Sequence, residues 1–395
     1  MVEHLQLLRR LEKIIEETEF AWSLCIIGED QSDKLAELTG DLKRPYSADG
    51  NGKEILSGYS YWGIEPTIAW RHACQDPYYP VMKEGLASFN RGWRNIFGQL
   101  TDERYHYVSL GPGTGEKDRA VLGDLQPRYN GMFYVPVDMS GEMLRVCMEP
   151  VRTLPFMRGF RSQVLPVQLD FNDEQNVKEL DGLRQRLIGD EPVLFSLLGN
   201  TMANFDYDFD LLAMLSERLL HPQDRLMLEV ATTPDLSENA ARAAAQEYER
   251  SKAFREFVTS ALHQSTDLSI DMNSVVFLGS VEQERSLLVK VIYQNQSGQD
   301  VVMTVPDRTE VTFAAGDTIR LLITRKYARP ALHTFLASAG LNIENEAYAA
   351  FSSRRQAHRF GMSLMLLSRG DRPDGPTSVA QQVFRTRRPR ESAPA

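Results

Sequence analysis

Gly111-Pro112-Gly113-Thr114-Gly115-Glu116-Lys117 follows the apolar run Tyr107–Leu110 and precedes a helical segment. Glycines at that place permit a tight turn and let the backbone approach a ligand closely. The spacing is GxGxG, neither the GxGxxG of dinucleotide sites nor the GxxxxGK[ST] of P-loops. Asp138 ends the next apolar run, Tyr134–Val137. A carboxylate at a strand end can accept both hydroxyl hydrogens of a ribose. Asp170-Phe171 ends the third run. An acid that accepts from an exocyclic amine, beside a ring-stacking residue, suits an adenine. Gly-rich turn, ribose acid and adenine acid in this order indicate S-adenosyl-L-methionine more than NAD. The alternative is three incidental turns, because turn chemistry by itself favours Gly and Asp. The fourth run ends in Leu198-Gly199-Asn200-Thr201-Met202-Ala203-Asn204-Phe205. The Asn204 amide offers donors and an acceptor to a carboxylate or amine, and it equally suits a helix cap.

Only a sheet brings such residues to one edge. From residue 105 to about 235, short apolar runs alternate with helical segments: YHYVSL, MFYVPVDM, QVLPVQLDF, PVLFSLLGN and RLMLEVAT against EKDRAVLGDL, GEMLRVCMEPVRTL, NVKELDGLRQRLIG and DLLAMLSERLL. This rhythm predicts an α/β fold with a right-handed, mostly parallel sheet covered on both faces. Ligands of such sheets sit at the carboxyl ends of the strands. Near residue 235 the rhythm breaks. A polar, alanine-rich helical stretch (235–264) gives way to SVVFLGSV, SLLVKVIYQ, VVMTVP and VTFAAGDTIRLLIT, which read as antiparallel strands. A helix, RPALHTFLASAGL, and a last strand, FGMSLMLLS, resume the sheet. The expected organisation is an N-terminal segment (1–83) contributing to a substrate domain, a cofactor domain (84–235 and 326–370) and an inserted α+β substrate-binding domain (236–325). An Arg- and Pro-rich tail (371–395) follows, expected to stay solvated and loose. Residues 3–27 read as an amphipathic helix and 40–58 as a long loop.

Composition narrows the partners. The 395 residues carry 44 basic and 54 acidic side chains, a formal charge of −10. That argues against a broad nucleic-acid or anionic-membrane surface and for a small-molecule substrate. Arg385, Arg387, Arg388 and Arg390 in the tail are the one basic cluster, and its partner is left unknown. Cys25, Cys74 and Cys147 are widely spaced with no CxxC pair, and the seven histidines are scattered, so no metal site is expected. The charged N-terminus has no signal-peptide pattern, and no apolar run approaches the ~20 residues of a membrane span. The expected address is the cytoplasm.

In order, LGPGTGEKD, YVPVDMSGEML, a strand ending DF, and LLGNTMANF resemble the histidine-specific methyltransferase family, whose best-known member makes trimethylhistidine, the ergothioneine precursor. The resemblance covers most of residues 59–370. It implies a Rossmann-type class I methyltransferase sheet, S-adenosyl-L-methionine as cofactor, and a second domain built from the N-terminal segment and the insertion. Carried over residue by residue, it places Gly111, Gly113, Thr114, Gly115 and Lys117 on the cofactor turn. Asp138 falls on the ribose acid, and Asp170 with Phe171 on the adenine pair. Asn204 falls on an asparagine that grips the amino-acid substrate. DPYYP resembles a tyrosine-containing EYYPTR segment, putting Tyr79 or Tyr78 near the acceptor amine. Tyr61 and Tyr248 align with further substrate tyrosines, though aromatic core packing is the alternative for all of these.

The family pattern T-E-x-S-x-K-[FY] appears here as Leu321-Leu322-Ile323-Thr324-Arg325-Lys326-Tyr327. Thr324 keeps a hydroxyl, but Leu322 replaces the glutamate that holds the histidine ring. Val81 and Met82 replace the Thr-Arg of EYYPTR. An apolar residue cannot accept an imidazole N–H. The expectation is therefore N-methylation of a small amino-acid-like amine other than histidine, with Tyr61, Tyr79 and Asn204 orienting the nucleophile's lone pair. Alternatives are methylation of oxygen, of a peptide or of a protein side chain, and a non-catalytic cofactor-binding subunit.

Overall fold

The computed structural model describes residues 22–28, 31–45, 52–77, 84–100, 104–351 and 358–370, with Arg10, Lys13, Ile14 and Glu17 before them. Tyr78, Tyr79, Val81, Met82, most of the N-terminal amphipathic segment, positions 46–51 of the loop and the Arg-rich tail lie outside the described residues.

Two short strands, β1 (Cys25–Ile26) and β2 (Lys53–Glu54), precede β3 (His106–Leu110), β4 (Tyr134–Asp138), β5 (Val167–Gln168), β6 (Val193–Leu197) and β7 (Arg225–Thr233). These run β1-β5-β4-β3-β6-β7, parallel throughout. A parallel sheet is covered on both faces, so its strands read as unbroken apolar runs. Every residue of β3, β4 and β6 is buried. β5 is shorter than the apolar run predicts. Pro166 has no N–H for the ladder, and Val164 makes only an isolated bridge to Tyr134. Cys25 and Ile26, read from the sequence as the end of a helix, are extended and pair with Val167 and Gln168 along the outer edge of β5.

The helix after β3, Glu116–Leu125, lies where the sequence places it. Those after β4 (Gly141–Val151) and β5 (Glu174–Leu187) are capped by Ser140 and Asp173, whose side chains accept from Met143 N and Asn176 N. Such caps satisfy amides that the first helical turn leaves open.

The insertion contributes β8 (Val275–Glu282), β9 (Ser286–Gln294), β10 (Val301–Thr304), β11 (Glu310–Phe313) and β12 (Thr318–Ala328). β8, β9 and β12 form an antiparallel meander, and β10 pairs only with β11. VTFAAGDTIRLLIT is two strands rather than one, parted by a turn at Gly316 (φ +79°). The helical stretch before β8 is likewise two helices, Glu238–Glu249 and Lys252–Ser265. Ser251 restarts the second by accepting from Phe254 N at 3.0 Å. β12 crosses the expected boundary at 325/326 without a break. Its last residues, Tyr327 and Ala328, pair in parallel with Thr232 and Thr233 of β7. The two sheets are therefore one, of twelve strands among the described residues. β13 (Leu341–Ala350), absent from the sequence reading, and β14 (Gly361–Arg369) complete the far side of β7 in antiparallel fashion.

Candidate functional site

A cavity of about 510 Å³ opens at the carboxyl ends of β3, β4, β5 and β6, roofed by residues 57–75. Gly111 leaves β3 by donating its N–H to Val137 O at 2.8 Å. Gly111, Gly113 and Gly115 all adopt left-handed backbone (φ +65°, +57° and +75°), a region open to glycine without steric cost. Their surroundings differ. A Cβ on Gly111 would stand 3.2 Å from Thr201 Cγ2 and 3.7 Å from Phe171 Cζ, and one on Gly113 would stand 3.8 Å from Trp70 Nε1. Gly111, Gly113 and Thr114 line the cavity. A Cβ on Gly115 would lie 2.1 Å from Cys147 O. Gly115 is thus a packing glycine that seats the turn on helix Gly141–Val151, and it is not on the cavity wall.

Beneath the turn, buried Asp118 accepts from Tyr107 Oη (2.9 Å), Ser109 Oγ (3.1 Å) and Tyr134 Oη (2.5 Å). Burial pushes its carboxyl up to about 6 against these hydrogen bonds. Lys117 lines the cavity and pairs with Glu229, a buried acid of β7 that also accepts from Gly199 N at 2.8 Å. Glu229 was not anticipated, although a lone acid inside RLMLEVAT was the visible signal.

Asp138 is buried on the cavity wall and accepts from Ser140 N at 2.9 Å through Oδ1. Burial, with the neighbouring Asp170 charge, pushes its carboxyl up to about 7. Asp170 accepts from Asn172 N (3.0 Å) on Oδ1 and from Lys34 Nζ (2.9 Å) on Oδ2. Lys34, buried on helix Gln31–Leu42, is a second unanticipated partner. Phe171 lies beside the acid, its ring 5.8 Å from that of Phe205.

Also lining the cavity, Asn204 Nδ2 donates to Tyr61 Oη at 3.1 Å. The Asn204 amide is therefore turned to Tyr61 rather than used as a helix cap. The Tyr61 ring stands 5.1 Å from Trp70 and 5.0 Å from Phe257. Burial pushes the Tyr61 hydroxyl well above the ordinary phenol range, so it stays protonated at neutral pH. Cys74 shares this wall, and burial pushes its thiol up to about 12.

Three residues that the resemblance assigns to substrate are elsewhere. Tyr248 is 2% exposed, packed 5.0 Å from Phe254 with the Lys326 ammonium over its ring. Leu322 is 1% exposed in the apolar core of the insertion. Thr324 is buried and accepts from Asn200 Nδ2 at 3.1 Å. None of the three is on the cavity wall: Tyr248 and Leu322 are enclosed by apolar core, and Thr324 by its bond from the Asn200 side chain.

The cavity residues fit an adenosyl cofactor. Asp138 keeps Oδ2 for hydroxyl hydrogens, Asp170 and Phe171 offer an acceptor beside a ring, and the absence of a Cβ at Gly111 and Gly113 lets the turn's backbone approach a ligand. Among the described residues, no group of three or more His, Cys, Asp or Glu side chains is placed to hold a metal ion. No helix among them is long and apolar enough to cross a membrane.

No curated protein matches the chain. Among solved structures, the chain is similar to an S-adenosylmethionine-dependent methyltransferase from Clostridium acetobutylicum (14% identity over 72% of this chain and 92% of that one, TM-score 0.37). It is similar also to the CcbJ methyltransferase from Streptomyces caelestis (15%, 80% and 97%, TM-score 0.34). A third is the magnesium protoporphyrin IX methyltransferase from Synechocystis PCC 6803 with bound SAH (10%, 78% and 96%, TM-score 0.36). The sequence pattern of one family matches residues 59–357. The chain belongs to the histidine-specific, SAM-dependent methyltransferase family.

Proposed function

We propose that the chain N-methylates a small amino-acid-like amine other than histidine. The observation that carries this reading is the Tyr61–Asn204 pair, beside an aromatic layer and lining the same cavity as the glycine turn. S-adenosyl-L-methionine, when bound, supplies an electrophilic methyl group on a sulfonium. The protein's part is alignment and desolvation.

A neutral amine has two N–H groups and one lone pair. Asn204 Oδ1, and the lone pair of Tyr61 Oη left over from the Asn204 bond, can accept the two hydrogens and so aim the nitrogen's lone pair away from the wall. Tyr61 cannot serve as the base while its hydroxyl is held protonated. The acceptor must lose its extra proton before attack, and desolvation in the cavity lowers the pKa of an ammonium group. The case against histidine is the apolar Leu322 in place of a ring-holding glutamate. Packed in the core, Leu322 offers no acceptor to an imidazole N–H.

The test is turnover of a panel of the standard L-amino acids with S-adenosylmethionine, read by mass spectrometry with fragmentation to locate the added methyl. Methyl on the amino nitrogen of a non-histidine acceptor supports the reading. Preferential turnover of histidine, or methyl on oxygen, refutes it.

A further inference from the structure

The family-like motif on β12 does not reach the cavity with Leu322 or Thr324, yet its next residue touches the acceptor segment directly. Arg325 is 3% exposed. Its Nη1 donates to Phe205 O at 2.6 Å and Ala203 O at 3.4 Å, the carbonyls on either side of Asn204. Its Nη2 reaches Asp206 O at 3.4 Å. The guanidinium is held in turn by Glu282 of β8, through Nε–Oε2 (2.6 Å) and Nη2–Oε1 (3.1 Å). The other end of the segment is tied to the same strand. Asn200, in left-handed backbone (φ +68°), donates to Thr324 Oγ1 and to Arg325 O, and accepts from Ala231 N at 2.8 Å. Arg320, also on β12, forms a two-point pair with Asp206 (2.6 and 3.0 Å).

We propose that Arg325 is a positioning residue for methyl transfer: its fork, anchored by Glu282, fixes segment 203–206 and so sets the reach of Asn204 to Tyr61. The proposal rests on the reading that this pair holds the acceptor amine. Carbonyls one residue to each side of Asn204 are the shortest levers on its side chain. A planar guanidinium can bridge two carbonyls and a carboxylate at once in fixed geometry. Met202 and Ala203 seat the 3-10 turn Thr201–Asn204 in the core, while Arg325 supplies the side-chain bonds to the carbonyls that flank Asn204. Near-attack geometry tolerates little displacement. Lysine at 325 keeps the charge beside Glu282, but a single ammonium does not reproduce the fork.

The test uses the full chain labelled with 15N-asparagine, the Asn204 side-chain amide being identified by its loss in Asn204→Asp. In the unmodified protein this amide shifts on Tyr61→Phe. In Arg325→Met/Glu282→Gln, which strands no buried carboxylate, the amide should move toward the free-asparagine position and stop responding to Tyr61→Phe. In Arg325→Lys the thermal midpoint should recover while the amide stays displaced, a split that a merely structural role does not produce. S-adenosylhomocysteine affinity by titration calorimetry should change by less than about threefold in both variants. An Asn204 amide that is unmoved and still responsive in the double variant overturns the proposal. So does a loss of S-adenosylhomocysteine affinity beyond about tenfold, which assigns the clamp to the cofactor half. Failure of the acceptor reading shows differently: Asn204→Ala would turn over normally, while in the chains that keep Asn204 its amide would still be displaced by the Arg325 variants.

Discussion

Replacing Asp138 by asparagine separates what its carboxylate costs the fold from what it gives the cofactor. Burial raises this group from 3.8 to about 7 in the folded chain. The folded protein therefore binds the proton more tightly than the unfolded chain. The cost of burying the charge is absent below pH 3.8, grows as pH rises, and levels off above about 7. About three pH units at ~1.4 kcal/mol each set its ceiling near ~4 kcal/mol. Asparagine keeps Oδ1 for the Ser140 amide and carries no charge. Without cofactor, Asp138→Asn should therefore be the more stable protein at pH 8 by up to ~4 kcal/mol, with most of that gain gone by pH 4. Its binding should go the other way. An amide cannot accept from two ribose hydroxyls through a charged group, a loss of ~1.5–3 kcal/mol, or about 10- to 100-fold in affinity. In the unmodified protein, S-adenosylhomocysteine should bind about tenfold more weakly per pH unit below 7, because protonated Asp138 is the form that must give up its proton. Thermal denaturation from pH 4 to 8 and titration calorimetry at the same pH values check both halves. A stability gap that does not widen with pH, or unchanged affinity at pH 8, refutes the assignment of Asp138 to the ribose.

Tyr61→Phe removes the acceptor of the Asn204 amide and should lower turnover about 10- to 100-fold, while S-adenosylhomocysteine affinity stays within about twofold. Gly115→Ala puts a methyl 2.1 Å from Cys147 O in left-handed backbone. It should destabilise the fold by ~2–5 kcal/mol in denaturant titration. Gly111→Ala meets the Thr201 side chain at 3.2 Å and should show its larger effect in cofactor affinity. Lys326, fully buried, pairs with Glu247 at 2.9 Å. Lys326→Met alone should cost ~3–5 kcal/mol by stranding the acid, and Glu247→Gln added to it should recover most of that in a double-mutant cycle.

The cofactor half was legible because its groups sit where local signals converge. A glycine or an acid directly after a short apolar run marks the carboxyl end of a parallel strand, and β3, β4 and β5 each end that way. Tyr61 and Asn204 were placed through the family resemblance, and the structure brings the two together. The groups that hold these residues were not legible, because their partners are far apart in the chain. Lys34 meets Asp170 across 136 residues, Lys117 meets Glu229 across 112, and Arg325 meets Ala203 across 122. No periodicity or spacing rule spans such distances. β13 escaped for a different reason: LNIENEAYAA alternates weakly, and only pairing with β14 makes it a strand. Leu322 and Thr324 show a third limit. A motif tells which residue occupies a position, but not how far the cavity extends toward it. Here β12 is filled by core at 322, while the Thr324 hydroxyl and the Arg325 carbonyl both accept from Asn200 Nδ2, so the strand meets segment 200–206 rather than the cavity. β12 pairs with both β9 and β7 while its Thr324 and Arg325 bond that segment, so the insertion's sheet and the parallel sheet share one strand. On the reading proposed above, acceptor specificity is tied to the packing of the insertion as well as to the residues that face the cavity.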